Sequence, residues 1–452
     1  MPTSVDRARL RQLLARETAA SAERNPRSAA AYARAEHLFG RVPMTWMNKS
    51  AGAFPLYLDG ARGARVSDID GHEYIDFCLG DTGAMAGHSP EPVAEAVEQR
   101  YRVRGGATAM LPTEDAEWVG AELTRRFGLP RWSFALTATD ANRWAIRLAR
   151  AVTGRPKILV NSYSYHGSVD ESLIVVGADG GESRPGNVGA PCDVTLTSRV
   201  AEFNDLAGLE RELAYGDVAA VLMEPALTNI GIVLPEPGYL AGVRELTRRH
   251  GTLLINDETH TFSAGPGGAT AAYGLSPDLL TIGKAVGGGI PAGGYGLSAE
   301  LADRLLGRAD LDLVDMGGVG GTLAGNALSV AAMRATLEHV LTDEAFAAMC
   351  ALSERFEAGV GEGIARYGLP WSVSRLGARS EYRFADPAPR NGTESAASAD
   401  AELEDFLHVF MANRGVLMTP FHNMALICPA TTRADVDAHT ALFGEALAEL
   451  TA

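Results

Sequence analysis

The apolar positions of this chain change their period several times, and the changes divide it. Residues 5 to 24 are rich in helix formers and stop at Asn25-Pro26, where the proline bars continuation. Next comes "PLYLDGARGARVSDIDGHEYIDFCLG", short runs separated by glycine turns, which predicts a small β-meander. From about residue 89 to about 300, apolar runs of strand length alternate with stretches of helical period. "SFALTA", "KILVNS", "VAAVLME", "GTLLINDE" and "DLLTIGK" read as strands, and segments such as 200–214 and 238–250 as amphipathic helices between them. Strands joined by crossover helices predict a largely parallel sheet covered on both faces. After about residue 330, a long helical run ("ALSVAAMRATLEHVL"), a loop ("DPAPRNGTESAAS") and a helix–strand tail predict a smaller α+β domain. The expected division is 1–88, an N-terminal helix and meander contributing to the small domain; 89–330, a large α/β domain; and 331–452, the C-terminal small domain. No internal repeat interrupts this reading.

Composition narrows the class. At 452 residues, 46% of them hydrophobic, the chain can bury a large core in two connected domains. Forty basic against 56 acidic residues give a net charge of −16, which argues against a nucleic-acid partner. Cys78, Cys192, Cys350 and Cys428 show neither metal-ligand spacing nor a disulfide framework, so no metal is expected. The opening "MPTSVDRARLRQLLARE" is charged throughout, unlike a signal peptide, and no apolar run reaches membrane-span length. The expectation is a soluble, cytoplasmic protein whose partners are small molecules, with no nucleic acid and no membrane.

In parallel sheets chemistry gathers at the carboxyl ends of the strands, which puts Glu224, Asp257 and Lys284 on one rim. Lys284 closes an apolar run and opens "KAVGGGIPAGGYG". A lysine so placed serves a phosphate, acts as a nucleophile, or is simply a surface lysine beside a glycine loop. A Walker-type loop fits poorly, since Ala285 stands at the Ser/Thr position and Asp278 where the first glycine belongs. In "GTLLINDETH", strand alternation turns Asp257 and Thr259 to one side and Glu258 to the other. A carboxylate buried at a strand end needs a partner. Asp257 either caps a turn or holds a protonated ring nitrogen. Pyridoxal 5′-phosphate (PLP) uses both groups, a lysine for its Schiff base and an acid for its pyridine nitrogen. A zinc reading of "DETH" lacks further ligands at suitable spacing.

The stretch "NDETHTFSAGPGGATAAYGLSPDLLTIGKAVGGGIPAGGYG", with "SDIDGHEYIDF" and "GHSP" upstream, resembles the class III (ω-type) PLP-dependent aminotransferases. Within them it is similar to the glutamate-1-semialdehyde aminomutase-like and β-amino-acid aminotransferase branch. The resemblance implies the α/β PLP-dependent transferase fold type I: a large domain with a mostly parallel seven-stranded sheet, a smaller α+β domain, and a homodimer with shared active sites. It implies that Lys284 carries PLP and moves the substrate proton, and that Asp257 faces the ring nitrogen. "ALTATDANRWAIRLAR" stands where the family has its phosphate cup, so that Thr137, Ala138 and Thr139 would present helix N-terminal amides to an anion. Here Ala138 replaces the family's glycine and Asp140 its glutamate; an ordinary Thr N-cap is the other reading. In "NSYSYHGS" the resemblance implies Tyr165 stacked on the ring with His166 behind it, and Thr259 takes the place of a valine on the ring face. Glu224, Pro225 and Asn229 match an E-P-x-x-x-N segment of the rim. Thr322, in "GGTLAGNALS", would reach the cofactor phosphate of the partner subunit.

The substrate end departs from the family. Trp46 stands where related enzymes bring an arginine to a substrate carboxylate, and Ala264 where a second arginine is expected. Arg379 and Arg383, alternating in "GARSEYRF", are the substitutes this reading offers, with a solvated strand edge as the alternative. His260 and His422 could lend polar contacts. The expectation is an aminotransferase working between an amine or a β/ω-amino acid and a keto acid or aldehyde. A PLP-dependent aminomutase or racemase, and a PLP-binding protein without activity, are the alternatives.

Overall fold

Val218–Met223 carries no polar side chain and Leu253–Asp257 none before Asn256, so both strands need cover on two faces. The computed structural model, which describes residues 5–314 and 316–452, supplies it. The chain divides into two units, one of residues through Pro90 with Ala347–Ala388 and Ser398–Ala452, the other of Glu91–Phe346 with Pro389–Ala397. These bounds differ from a division at 330/331. The helix Ala327–His339 packs on Glu91–Glu98 and Glu114–Phe127, so it stays with the larger unit.

The larger unit is built on a seven-stranded sheet in the order Arg131–Ala135, Gly293–Leu297, Leu279–Ile282, Leu253–Asp257, Val218–Met223, Lys157–Asn161, Ser198–Ala201. Gly293–Leu297 is antiparallel to both neighbours; the other adjacent pairs are parallel. Alternate residues serve alternate faces. Ile158, Val160, Leu222 and Ile255 join Ala141, Trp144, Ala145 and Leu148 of the helix Ala138–Thr153 in one core. Leu159, Val221 and Leu254 join Leu209, Val243 and Leu246 in the other.

Two of the seven strands escape the apolar-run reading. Ser198–Ala201 runs into the start of the segment 200–214 taken as helical; the helix there starts only at Leu206, after Asp205 caps it. Gly293–Leu297 is glycine-rich because its neighbour leaves no room. A Cβ on Gly296 would stand 2.8 Å from the Trp132 indole, which lies flat against the strand.

The smaller unit holds the helix Arg7–Arg24 and the meander, Leu58–Arg62, Arg65–Asp68 and Glu73–Asp76, extended by Val416–Leu417. It also has a three-stranded antiparallel sheet with Arg379–Arg383 in the middle, between Ser372–Leu376 and Met424–Leu426. Among the described residues no helix is long and apolar enough to cross a membrane, and no group of three or more His, Cys, Asp or Glu could hold a metal.

Candidate active site

Asp257 ends its strand opposite Thr281 of the parallel neighbour, and Lys284 follows Thr281 by three residues. The two side chains thus leave adjacent strands at the same rim. Lys284 is a non-glycine residue at φ 48°, in the left-handed region. Such backbone costs on the order of 1 kcal/mol or more and persists where the surroundings impose it. Its Nζ lies 2.9 Å from Nε2 of His260, which is buried at the start of the short helical turn Thr261–Ala264.

Asp257 is 2% exposed and fully engaged. Its Oδ2 accepts from His166 Nδ1 at 2.8 Å and from Asn142 Nδ2 at 2.8 Å. Its Oδ1 accepts from the Thr259 amide at 3.0 Å and the Thr259 hydroxyl at 2.5 Å. Burial alone would raise the carboxyl, but donors from His166, Thr259 and Asn142 hold it down at about 2. Asn142 is itself locked, since Thr281 donates to its Oδ1 at 2.6 Å and its amide also reaches the His166 carbonyl at 3.1 Å. Glu258 faces away as alternation requires. It accepts from Thr261 Oγ1 at 2.6 Å and from the Thr270 amide at 2.5 Å, and burial pushes its carboxyl up.

Thr137 is the N-cap of the 16-residue helix Ala138–Thr153, its hydroxyl accepting from the Asp140 amide at 3.1 Å. Ala138 is the first helical residue. Its methyl is tolerated because Gly283 faces it: a Cβ on Gly283 would lie 2.8 Å from Ala138 Cβ and 2.9 Å from Ala138 N. Gly167 approaches as closely, its notional Cβ 2.0 Å from Thr139 Oγ1. Two glycines therefore bring the residue before Lys284 and the residue after His166 against one helix N-terminus. Tyr165 leaves 40% of its surface exposed, whereas His166 is 1% exposed. Glu224 is buried and accepts from the Thr228 hydroxyl.

These residues fit PLP. An ionised buried carboxylate suits a protonated ring nitrogen, the Thr259 hydroxyl can rotate away to yield its lone pair, and the helix N-terminus suits a phosphate. Tyr165 offers an open ring face, and Lys284 stands at the rim.

Of the remaining candidates, Trp46, Arg379, Arg383 and His422 belong to the smaller unit. Arg379 is fully buried in the middle strand of the small unit and donates to the Thr82 hydroxyl. Arg383 is 4% exposed, donates to Ser398 Oγ at 3.1 Å and lies 3.9 Å from Glu404. Neither is an open guanidinium for a substrate, nor is their strand a solvated edge: a central strand covered on both faces encloses its charges. His422 Nδ1 meets Glu381 Oε1 at 3.1 Å, and Trp46 packs edge-on to Phe421 at 5.1 Å, both within the small unit. Thr322 is exposed in a turn ahead of the helix Ala327–His339.

Three residues were missed. Asn142 and Thr281 form the lock on Asp257; the one available signal was an asparagine on the apolar face of its helix. Arg184 is the third. It is half-buried, its Cζ stands 5.7 Å from the Tyr163 ring centre, and its Nη1 donates to the Ser164 carbonyl at 3.0 Å. Burial lowers its pKa against the opposing fields of Tyr163, Tyr165 and Glu224.

A family model, Aminotransferase class-III, matches residues 46–447. A glutamate-1-semialdehyde 2,1-aminomutase of Chloroflexus aggregans is 34% identical over 418 residues, covering 89% of this chain and 92% of that one. Among solved structures, a glutamate-1-semialdehyde-aminomutase from Pseudomonas aeruginosa PAO1 is 48% identical over 99% of both chains, with a TM-score of 0.95. An omega-transaminase from Sphaerobacter thermophilus is 29% identical, covering 94% of this chain and 98% of that one, with a TM-score of 0.84.

Proposed function

The chain belongs to the class III aminotransferases, a PLP-dependent enzyme family of fold type I, and we propose that it moves an amino group between an amine or non-α (β/ω) amino acid and a keto acid or aldehyde. The observation that carries this is the rim pairing of Lys284 with an ionised Asp257, one strand apart. When bound, PLP supplies an aldehyde that condenses with amines and a ring that withdraws electrons from the carbon bearing nitrogen.

The chain's own residues do the rest. Asp257 stays ionised and keeps a proton on the ring nitrogen, while His166, Asn142 and Thr259 hold its carboxylate still. The first amides of Ala138–Thr153 would hold the phosphate, and Tyr165 would cover the ring. Lys284 Nζ would hold the cofactor through its aldehyde and would serve as the base that takes the proton from the substrate carbon. Two nitrogens 2.9 Å apart cannot both donate, so one of Lys284 Nζ and His260 Nε2 donates a hydrogen bond to the other. We extend the proposal to a homodimer. Met110, Leu111, Val314 and Met316 are 72% or more exposed, a cost in water that a second copy would remove, and it would bring up Thr322.

The second reading, an aminomutase that returns the amino group to the same skeleton, is favoured by the names of the relatives at 34% and 48% identity. The test is the absorbance of the PLP-loaded protein on adding amino donors without a carbonyl acceptor. Bleaching by one donor supports the aminotransferase. Consumption of glutamate-1-semialdehyde without a second substrate supports the mutase. A protein that takes up no PLP, or a Lys284→Ala variant as active as wild type, overturns both.

A further inference from the structure

The proposal above leaves the substrate's far end open, and the arginines first considered for it are closed off inside the small unit. Arg184 is not. The hairpin Ile174–Gly177 and Gly180–Ser183 carries it back toward the segment Tyr163–Tyr165, and its own amide is fixed to the Leu173 carbonyl at 2.9 Å. Its guanidinium has one main-chain acceptor, Ser164, and one aromatic face, Tyr163. Nε and Nη2 have no hydrogen-bond partner among the described residues, and no carboxylate there lies within 4.0 Å. Three other half-buried arginines of the same unit, Arg150, Arg199 and Arg244, hold Glu171, Asp217 and Asp278 at 2.6–2.7 Å, and Arg155, which like Arg184 has no carboxylate partner among the described residues, divides its Nη1 between the Val218 carbonyl and the Thr252 hydroxyl.

A cation partly withdrawn from water with no carboxylate in contact, Glu224 acting on it only from farther off, is costly, and an incoming anion relieves the cost. The free Nε–H and Nη2–H of the guanidinium can donate to a carboxylate's two oxygens. Arg184 stands toward the Tyr165 side of the rim: it rests on Ser164, which directly precedes Tyr165, and its charge feels both Tyr165 and Glu224. The helix N-terminus at Thr137–Thr139 is a separate anion site with its own donors.

We propose that Arg184 is the substrate-carboxylate receptor of this site, so that the amino donor is a carboxylate-bearing amino acid rather than a simple amine. This rests on the PLP-dependent reading above. It differs from what the sequence suggested, where the receptor was sought in the small unit.

The experiment uses PLP-loaded wild-type, Arg184→Gln and Arg184→Lys proteins with donors in matched pairs, each amino acid beside its decarboxylated amine. One pair is 3-amino-3-phenylpropanoate and 1-phenylethylamine; another is 4-aminobutanoate and propylamine. The concentration dependence of bleaching is measured for each, together with binding of an unreactive acid, benzoate or succinate, through its perturbation of the cofactor absorbance. Wild type should favour the carboxylate member of a pair. Arg184→Gln should weaken that member and the unreactive acid on the order of 10- to 100-fold, leaving the decarboxylated amine and PLP affinity unchanged, and Arg184→Lys should recover part of the loss. Equal losses on both members of a pair, or no preference in wild type, overturn the proposal while leaving the aminotransferase reading intact. A loss confined to PLP affinity also overturns it, by assigning Arg184 to the cofactor. Failure of wild type to take up PLP overturns the underlying reading and this one with it.

Discussion

Gly283→Ala tests whether the cofactor cradle is as tight as its glycines indicate. Gly283 has φ −162°, open to any residue, so the substitution carries no backbone penalty and its effect is steric. The new Cβ would lie 2.8 Å from Ala138 Cβ, 2.9 Å from Ala138 N and 3.2 Å from Ala138 Cα. Carbon atoms pack at about 3.5–4.0 Å, so the strand end and the helix start must part by roughly 0.5–1 Å. The colliding atoms belong to backbone on one side and to a methyl that cannot rotate away on the other. Overpacking of this kind costs about 1–3 kcal/mol. The displacement falls on two functional parts at once, the Ala138 amide of the anion site and Lys284, the next residue in the chain. The variant should melt several degrees below wild type and bind PLP at least about tenfold more weakly, the equivalent of about 1.4 kcal/mol, in a spectrophotometric titration. Gly120→Ala is the control: it lies in the helix Glu114–Phe127 with nothing within 4 Å of its Cβ position, and should stabilise by about 0.5–1 kcal/mol. Wild-type stability and PLP affinity in Gly283→Ala would refute the reasoning.

Three further expectations follow from the same geometry. Asp257→Asn should slow bleaching by an amino donor by on the order of 100-fold or more. It should also flatten the acid limb of stability: a carboxyl depressed to about 2 stabilises the fold above its unfolded value near 4, by roughly 2 kcal/mol, and that contribution disappears as pH falls through 2. An unchanged acid limb would count against it. His260→Met should keep PLP uptake and colour but slow bleaching by an amino donor about tenfold, because Lys284 Nζ loses the nitrogen 2.9 Å away; an unchanged rate would remove His260 from the proton path. Glu404, in the small unit, is pushed up to about 7 by burial against the opposing pull of Arg383. A raised carboxyl stabilises the fold fully below its ordinary 4.5, and that advantage is lost as pH rises through 7, by up to about 3 kcal/mol. Glu404→Gln should therefore raise the melting temperature at pH 8 and leave it nearly unchanged at pH 5, and a pH-independent difference would contradict the assignment.

What the sequence shows of this protein depends on whether a property is local. "VAAVLME" and "GTLLINDE" are legible strands because each residue from Val218 to Met223 and from Leu253 to Ile255 must be buried, whatever surrounds it. Gly293–Leu297 is a strand for a reason outside itself, the flat Trp132 ring that its glycines admit. The pair Asp257 and Lys284 was legible from alternation and strand ends, but the lock that keeps Asp257 ionised draws Asn142, His166 and Thr281 from three separate elements, and no spacing connects them. Arg379 and Arg383 show the limit most sharply. Alternation correctly puts Arg379, Glu381 and Arg383 on one face, yet it cannot say what covers that face. Here it is covered: Arg379 and Glu381 are fully buried and Arg383 is 4% exposed, so the guanidiniums that looked available are structural. Arg184 is the reverse case. It follows the strand Gly180–Ser183, mostly exposed glycines and polar residues, where a solvated side chain is the default reading, and only the return of that hairpin toward Tyr163–Tyr165 leaves the guanidinium half-buried with no carboxylate in contact. An uncompensated charge is a property of the packing around it, so it becomes visible only once the fold has placed every other charge within reach.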